Sequence, residues 1–447
     1  MAPLEAGSPV EFVLGLNYSD IPEPTRHFAR RCLLDLIGVA AAGSSTPLSI
    51  SIRKHAVEQL AAGGRSVNML FDSRPVSAMG AALAGGMTID SMDAHDGHKL
   101  TKGHVGCGVL PGLLAFTQAE GRYDEREFLT ALVIGYELGT RAGMALHATV
   151  DDYHTSGAWV SIAVAALGAR ILGLSPQQTR DAMGIAEYHG PRSQMMRVID
   201  SPTMLKDGSG WGAMAGVSAA YLAADGFTGA PAITVEDEQV ASLWSDLRER
   251  WRIHEQYFKP YPVCRWAQPP VEAALALCRA HSIVSNDIDR IEVATFHEAK
   301  RLSTPLPENT EQAQYSLPFA TAAAIVYGDL GPAQVSEQAV LHPEIRRLSA
   351  SMIIVEEEQY NREFPVRRLA RVTLLSKDGQ RYQSDVTEAR GDPEAPLGED
   401  EIARKFHQLA DPLLGVERAK QIEIQVQKLG SGENLRALIG NITSDIA

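Results

Sequence analysis

Cysteine is scarce in this chain, with four residues in 447, and the four lie far apart. No two of them form a Cys-x-x-Cys pair, a spacing on which many zinc and iron–sulfur sites are built. Scattered cysteines also make a poor disulfide framework, which is typical of a protein in a reducing compartment. We therefore expect free thiols, no cysteine-bound metal or cluster, and a cytoplasmic location.

Long apolar runs and an excess of basic residues are absent as well. No apolar stretch approaches the roughly 20 residues that span a bilayer, and the first residues show no basic stretch ahead of an apolar core. The formal net charge is −14, from 41 basic and 55 acidic residues. Nucleic acids and anionic membranes are bound by broad basic faces, so neither is expected as a partner. An anionic substrate would need a local basic pocket.

Sequence signatures of several catalytic classes are missing too. The chain has no nucleophile elbow, no Walker phosphate loop and no Gly-x-Gly-x-x-Gly dinucleotide fingerprint. Covalent acyl transfer, ATP use and dinucleotide binding therefore have no support, and we expect no cofactor.

Apolar residues at helical spacing dominate residues 24–224. Pro24 suits the first turn of a helix, and Ser175 with Gln178 forms a capping box at the start of another. Several of the predicted helices are rich in alanine and glycine, as in residues 210–224, which allows close helix packing. This half of the chain therefore predicts stacked, buried helices.

The pattern changes after residue 256. Residues 288–296 alternate apolar with polar side chains, and residues 369–382 are typical of two strands joined by a turn at Asp378-Gly379. Residues 399–446 return to helical spacing. The sequence predicts a mainly α protein with a large all-helical domain (1–258), a smaller α/β unit (259–395) and C-terminal helices (396–447), and it leaves open whether these helices rejoin the first domain.

The densest group of ionisable residues is the segment 93–104, which holds three histidines, two aspartates and two lysines. Imidazoles titrate near working pH and carboxylates can orient them, so the segment favours acid–base chemistry, with Asp93 and His104 at its ends. Mixed carboxylate and imidazole ligands also suit divalent metals, but Lys99 and Lys102 would repel a cation, and we expect no metal. A solvated polar loop is the remaining alternative.

Two further segments place a polar residue ahead of a glycine-rich helix start. His154 lies in Tyr153-His-Thr-Ser-Gly157, and Lys206 lies in Lys206-Asp-Gly-Ser-Gly210. A helix N-terminus favours an anion, and glycine lets the backbone approach a ligand closely. A capping histidine and a lysine on a surface loop are the ordinary alternatives.

The segment Phe258-Lys-Pro-Tyr-Pro-Val-Cys-Arg265 combines two cations with two prolines. The prolines stiffen the backbone, and arginine can bind a carboxylate through two hydrogen bonds. Lys259 and Arg265 are therefore candidates for an anion clamp at a domain junction. An extended linker with solvated charges is the alternative.

In this order, these segments resemble the MmgE/PrpD family, which includes 2-methylcitrate dehydratases, cis-aconitate decarboxylases and iminodisuccinate epimerases. The resemblance runs from about Arg26 to the C-terminus. Its most specific parts are the acidic-His segment with His104 before Gly-x-Gly-x-Leu-Pro-Gly, the two segments that carry His154 and Lys259, and Ala-Ala-Asp-Gly-Phe-Thr-Gly229. The resemblance implies a large all-helical domain made of both chain ends, with the smaller α/β domain (259–395) inserted as a lid. It also implies a homodimer, a metal-free site between the two domains, a polycarboxylate substrate, and chemistry at a carbon next to a carboxylate.

Carried over by position, the resemblance implies a site lined by Asp93, His104, His154, Lys206 and Lys259. The chain departs from the common family pattern in three places. Asp93-Ala-His-Asp-Gly97 replaces Asp-x-Asp-Asp-Thr, Gln268 replaces a histidine, and Phe319 replaces a tyrosine. His95 and His98 are titratable groups that could compensate for the two losses.

The leading hypothesis is a lyase that removes a proton next to a carboxylate of a di- or tricarboxylic acid and expels water or carbon dioxide. His104 and His154 are the expected base and acid, and Asp93 would orient an imidazole. The expected substrate-binding residues are Lys206, Lys259, Arg265, His98 and Gln268. An epimerase that reprotonates the same carbanion, which the loss of tyrosine at Phe319 mildly favours, and a non-catalytic carboxylate-binding homologue are the alternatives.

Overall fold

The fold was analysed in a computed structural model that describes residues 7–432 and 434–446. The first six residues, on which the expectation of an unexported protein partly rests, lie outside this range. About 59% of the chain is helical. The predicted mainly α class is therefore confirmed.

The first half of the described chain consists of helices and two short antiparallel strand pairs. The helices are α1 Pro9–Gly15, α2 Glu23–Gly43, α3 Pro47–Gln59, α4 Ala78–Asp90, α5 Gly106–Ala119, α6 Glu125–Thr149, α7 Gly157–Leu172, α8 Pro176–His189, α9 Met196–Asp200, α10 Ser209–Ala224 and α11 Ile233–Glu236. The strands are β1 Val67–Met69, paired with β2 Asp72–Val76, and β3 Gly97–His98, paired with β4 Gln256–Tyr257. The capping box at Ser175 and Gln178 opens α8, as predicted.

The second half alternates helices with a single four-stranded sheet. Its helices are α12 Gln268–His281, α13 His297–Lys300, α14 Thr310–Gln314, α15 Leu317–Tyr327, α16 Glu337–Val340, α17 Pro343–Ala350, α18 Glu358–Glu363, α19 Glu399–Leu414, α20 Val416–Lys428 and α21 Leu435–Thr443. Its strands are β5 Ile288–Thr295, β6 Ile353–Glu356, β7 Ala370–Ser376 and β8 Arg381–Gln383. Short 3-10 turns connect several of these elements.

The sheet has the strand order β6-β5-β7-β8. Strand β5 runs parallel to β6 and antiparallel to β7, and β7 pairs with β8 as a hairpin. The tight turn of this hairpin contains Gly379, which has a φ of +87°. Both strand predictions, at residues 288–296 and 369–382, are confirmed.

The C-terminal helices pack on the N-terminal ones. Helix α19 lies along α2, and α20 also contacts α2. The division of the chain into domains, with the lid as a separate domain and boundaries at 258 and 395, stays a prediction. Within the described part of the chain, no single helix is both long and apolar enough to cross a bilayer, and only the bent pair α2 and α3 passes on length and composition together.

Small residues allow the central helices to approach closely. Helix α10 packs against α4 and α7, and a methyl group added at Gly86 of α4 would collide with the backbone of Gly210. Likewise, the ends of α7 and α10 meet at Gly157 and Gly212. This packing brings the chain segments at the end of α4 and at the starts of α7 and α10 to one place.

We expect Gly86→Ala to destabilise the protein by about 1–3 kcal/mol, because the added methyl group would force two helix backbones apart. Gly440→Ala in α21 is the matched control, since nothing lies within 4 Å of a methyl group there. The control should be neutral or stabilising by up to about 1 kcal/mol, because alanine favours a helix over glycine. Urea unfolding of the three proteins measures the difference, and equal effects of both substitutions would contradict this account of the packing.

Candidate active site

Four predicted site residues meet in one buried cluster. Asp93 follows α4, His104 precedes α5, Lys206 precedes α10 and Lys259 follows β4. Their exposed fractions are 2%, 7%, 2% and 0% in that order. Four segments that are remote in sequence thus place ionisable groups together, away from water.

A buried ion pair joins two of these segments. Lys259 Nζ lies 2.5 Å from Asp93 Oδ1 and also donates to the Asp93 carbonyl oxygen at 3.3 Å. Burial opposes ionisation of both groups, but their mutual attraction outweighs it, so the pKa of Asp93 is lowered and that of Lys259 is raised. Both groups are therefore charged at neutral pH.

Gln314 connects this pair to the second lysine. Its Oε1 accepts hydrogen bonds of 2.9 Å from both the Asp93 backbone N–H and Lys206 Nζ. Its amide nitrogen donates to Ser91 O and Thr310 Oγ1, which fixes the orientation of the side chain. Lys206 therefore faces a neutral partner, and burial lowers its pKa.

Lys206 has an unfavourable backbone conformation. Its φ is +48°, in the left-handed region that side-chain-bearing residues seldom adopt. The lysine ammonium lies 4.9 Å from the centroid of the Tyr315 ring. The conformation turns Lys206 and the following Asp207 toward the interior just before α10.

His104 is held as a neutral imidazole. Its Nδ1 donates to the carbonyl oxygen of Asp96, and its backbone N–H donates to Ser156 Oγ at 2.9 Å. Burial, with a contribution from Lys259, lowers the pKa of His104 to about 3. The Nδ1 bond leaves the lone pair on Nε2, which lies 3.7 Å from Asp207 Oδ2. This arrangement suits a general base.

Two buried carboxyl groups complete the cluster and were missed in the sequence. Burial raises the pKa of Asp207 to about 8 and that of Asp90 to about 6. Asp90 Oδ2 accepts from the Ser209 backbone, while its Oδ1 has no hydrogen-bond partner among the described residues. Two features of the sequence could have indicated these carboxyl groups. Asp90 is the only acidic residue of the apolar helix α4, and Asp207 directly follows Lys206. Asp207 is protonated at neutral pH and can donate a proton.

His95 also lies in the cluster. Its Nε2 is 3.6 Å from Asp90 Oδ1 and 3.8 Å from Asp93 Oδ1, and its ring packs edge-on against His104. Two sets of donors have ligand atoms close enough to hold a metal ion, namely Asp90, His95, Cys107 and Asp93, His95, His104. Because Asp93 already shares its carboxylate with the Lys259 ammonium, the second set fits a divalent cation poorly.

His154 lies on the adjoining segment rather than in the cluster. Its Nδ1 bonds to Asp152 O at 2.8 Å, and its backbone N–H donates to His147 Nε2. Two residues later, Ser156 contacts His104, and Gly157 N–H donates to Asp207 O. Within the described residues, no hydrogen bond or ion pair joins the His154 ring to the cluster.

Comparison with known proteins settles the family. The MmgE/PrpD N-terminal domain matches residues 10–248, and the MmgE/PrpD C-terminal domain matches residues 261–431. The chain belongs to the MmgE/PrpD family. The resemblance inferred from the sequence motifs is thereby confirmed.

Curated relatives cover nearly the whole chain at low identity. The cis-aconitate decarboxylase-like protein oryM of Aspergillus oryzae is 25% identical, over 97% of this chain and 96% of the relative. A cis-aconitate decarboxylase of Mus musculus is 23% identical, over 95% of this chain and 90% of its own. One of Aspergillus terreus is 24% identical, over 93% and 91%.

Three predicted substrate-binding residues of this MmgE/PrpD protein have other partners. His98 Nε2 bonds to Glu255 at 3.0 Å. Arg265 bonds to Gln268 Oε1 at 2.8 Å and lies 2.9 Å from Asp392. The Gln268 amide donates to two backbone carbonyls of its own segment. These contacts brace the segment that carries Lys259, and a role in substrate binding stays a prediction for all three.

The raised pKa of Asp207 predicts a pH-dependent stability. The folded state keeps this proton up to about pH 8, whereas a free aspartate has a pKa of 3.8. The stabilisation is complete below that lower value and is lost as the pH rises to the higher one, by at most about 1.4 kcal/mol per pH unit. We expect Asp207→Asn to flatten this loss, as measured by urea unfolding between about pH 5 and pH 8. The exposed Asp151→Asn is the control, and parallel curves for all three proteins would refute the assignment.

Proposed function

We propose that the protein is a lyase that acts on a di- or tricarboxylate, with a cis-aconitate-like tricarboxylate as the first candidate substrate and carbon dioxide as the leaving group. The observation that carries the proposal is the neutral His104 beside a protonated carboxyl group, Asp207, in a buried cluster that also contains two lysines. The names of the curated relatives support the lyase class. They give no support to epimerisation.

The two lysines would have different roles in substrate binding. The charge of Lys259 is already balanced by Asp93, whereas Lys206 faces the neutral Gln314. A buried ammonium without a paired anion gains most from an incoming carboxylate, since the low dielectric strengthens their attraction. Lys206 would therefore bind a substrate carboxylate directly, and Lys259 would stabilise negative charge as it develops.

The same groups can carry out either elimination with a complete proton balance. In decarboxylation, the bond from carbon to the leaving carboxylate breaks, its electron pair spreads toward a second carboxylate, and Asp207 delivers a proton to carbon. In dehydration, His104 Nε2 takes the proton next to a carboxylate, the carbon–oxygen bond breaks, and the hydroxyl group leaves as water with the proton of Asp207. Both routes need an acid that is protonated at working pH.

Burial of the reacting groups requires that the site opens to admit substrate. The cluster lies among segments from both halves of the chain, and its residues are at most 7% exposed. Movement of the segments at Lys259 and Gln314 away from α4 and α10 would expose Lys206 first. Closure would then exclude water from the reacting carbon.

The first experiment is proton NMR in deuterated water with chelator-treated protein and a panel of cis-aconitate, citrate, 2-methylcitrate and iminodisuccinate. Loss of carbon dioxide or water from one compound supports the lyase. Deuterium next to a carboxylate together with interconversion of stereoisomers would replace it by the epimerase. If none of the compounds reacts but the protein still binds one of them, a non-catalytic carboxylate-binding protein would be favoured.

Substitution of the histidines should separate their roles. For a dehydration, in which His104 is the base, we expect His104→Gln to lower kcat by about 10²- to 10⁴-fold, and for a decarboxylation, in which Asp207 carries the proton, we expect a smaller loss. His154→Gln should have a smaller effect, because its ring lies outside the cluster. His189→Gln, an exposed position, is the control. A larger loss in His154→Gln than in His104→Gln would reverse the assignment.

The pH profile should follow the acid rather than the base. Burial raises the pKa of Asp207 to about 8, so activity should decline above that pH as the acid loses its proton. His104, whose pKa is lowered to about 3, stays neutral down to mildly acidic pH. A profile of kcat against pH tests this, and a rise in kcat through pH 8 would contradict the role of Asp207.

The proposed partners are the substrate and a second copy of the chain. Membership of the MmgE/PrpD family suggests a homodimer, and light scattering at micromolar concentration tests it. A monomer would leave the function as proposed, because every group in the proposed chemistry comes from one chain.

A further inference from the structure

A second buried ion pair lies behind the catalytic segment, between α2 and α19. Lys405 Nζ is 2.5 Å from Asp35 Oδ1, and both side chains are buried. Taking two charges out of water is costly, and an apolar pair of similar volume commonly joins two helices as well or better. The contact between α2 and α19 already has apolar packing, such as Phe406 against Gly38. Helix packing alone therefore gives no reason for this pair.

The pair also holds the backbone two residues before Asp96. Lys405 Nζ donates to the Ala94 carbonyl oxygen at 2.6 Å. Burial raises the pKa of Asp35, while the neighbouring Lys405 acts in the opposite direction. The aspartate thus orients the lysine ammonium, and the lysine holds the peptide group of Ala94.

The next polar group of that stretch determines the state of His104. The Asp96 carbonyl oxygen accepts from His104 Nδ1, and the Asp96 side chain accepts from the Tyr136 hydroxyl. A proton fixed on Nδ1 keeps the lone pair on Nε2, facing Asp207. If the backbone of residues 94–96 shifted, the hydrogen bond to Asp96 O would no longer fix the tautomer of His104 or the orientation of its ring.

We propose that Asp35 and Lys405 are positioning residues, which hold the Asp96 carbonyl so that His104 keeps its proton on Nδ1 and presents Nε2 to the substrate. They touch neither the substrate nor the reacting atoms. For its kinetic readout, the inference rests on the proposed lyase function. Its structural readout, the tautomer of His104, is independent of that function.

The position of Lys405 makes the test practical. Lys405 and Ala94 both line a cleft of about 810 Å³ between α19, the end of α2 and the segment around Pro260. Water in the cleft can therefore satisfy the Ala94 carbonyl when the ammonium is removed. We expect Lys405→Met to fold, with kcat lowered by up to about 100-fold and KM changed by less than about threefold, as misplacement of a catalytic group predicts.

Two further variants separate positioning from stability. The double variant Asp35→Leu with Lys405→Met removes both charges and should recover stability to near wild type, yet keep the low kcat. Phe406→Leu loosens the same contact between α2 and α19 but leaves the hydrogen bond from Lys405 to Ala94 in place. It should therefore lower the melting temperature and leave kcat unchanged. Equal kcat losses in Phe406→Leu and Lys405→Met, or an unchanged kcat in Lys405→Met, would overturn the inference.

The tautomer is measured by long-range proton–nitrogen correlation NMR of histidine-labelled protein, with His104 assigned by its loss in His104→Gln. Wild type should show the proton on Nδ1, and Lys405→Met should show a mixture of tautomers. An unchanged tautomer in Lys405→Met would overturn the inference even if activity falls. A changed tautomer in a protein that is inactive on every substrate would uphold it and reject the proposed function.

Discussion

Burial of charge without water is the constraint on which this structure depends. In the interior, each ionised group needs an opposite charge or a directed hydrogen bond, because solvation by water is lost. Asp93 and Lys259 meet this need for each other, and Lys405 and Asp35 do the same behind them. The groups that lack such a partner respond by shifting their pKa: Asp207 holds a proton and His104 loses one. The protonation states on which the proposed acid and base depend are consequences of the same burial.

The helical framework creates this environment through its small residues. The close approach of α4, α7 and α10 at glycines leaves little room for water around the ends of the helices. It also brings the Ser156 hydroxyl group and the Gly157 peptide to the buried cluster, where they bind the backbone of His104 and of Asp207. A framework of larger side chains would separate the segments by several ångströms and hydrate the carboxyl groups.

The sequence predicted the elements well because their signals are local. The alternation at residues 288–296 and the turn at Gly379 depend only on neighbouring residues, and both strands formed as expected. Asp93, His104, Lys206 and Lys259 were identified through the family motifs, and the fold brings these four together. The capping box of Ser175 and Gln178 was also predictable, since it depends on residues within a single helical turn.

What the sequence did not reveal depends on long-range contacts. Asp90 and Asp207 become unusual only because helices remote in sequence remove their water. Arg265 and Gln268 looked available for a substrate, but the fold pairs them with each other and with carbonyl groups from the same or distant segments. Lys405 lies in an amphipathic helix where a lysine is ordinary, and nothing local indicates that it reaches residue 94.

The placement of the proton carriers bears on the type of reaction. An epimerase needs two groups on opposite faces of the reacting carbon, one to remove the proton and one to return it. Here, His104 Nε2 and Asp207 Oδ2 lie 3.7 Å apart, so on the proposed function both would meet a substrate from the same side. The His154 ring, the obvious second carrier, is bound to Asp152 O outside the cluster. A one-sided pair suits a reaction in which a proton replaces a departing carboxylate, or in which a proton and a hydroxyl group leave from one face. It is poorly arranged to invert a stereocentre.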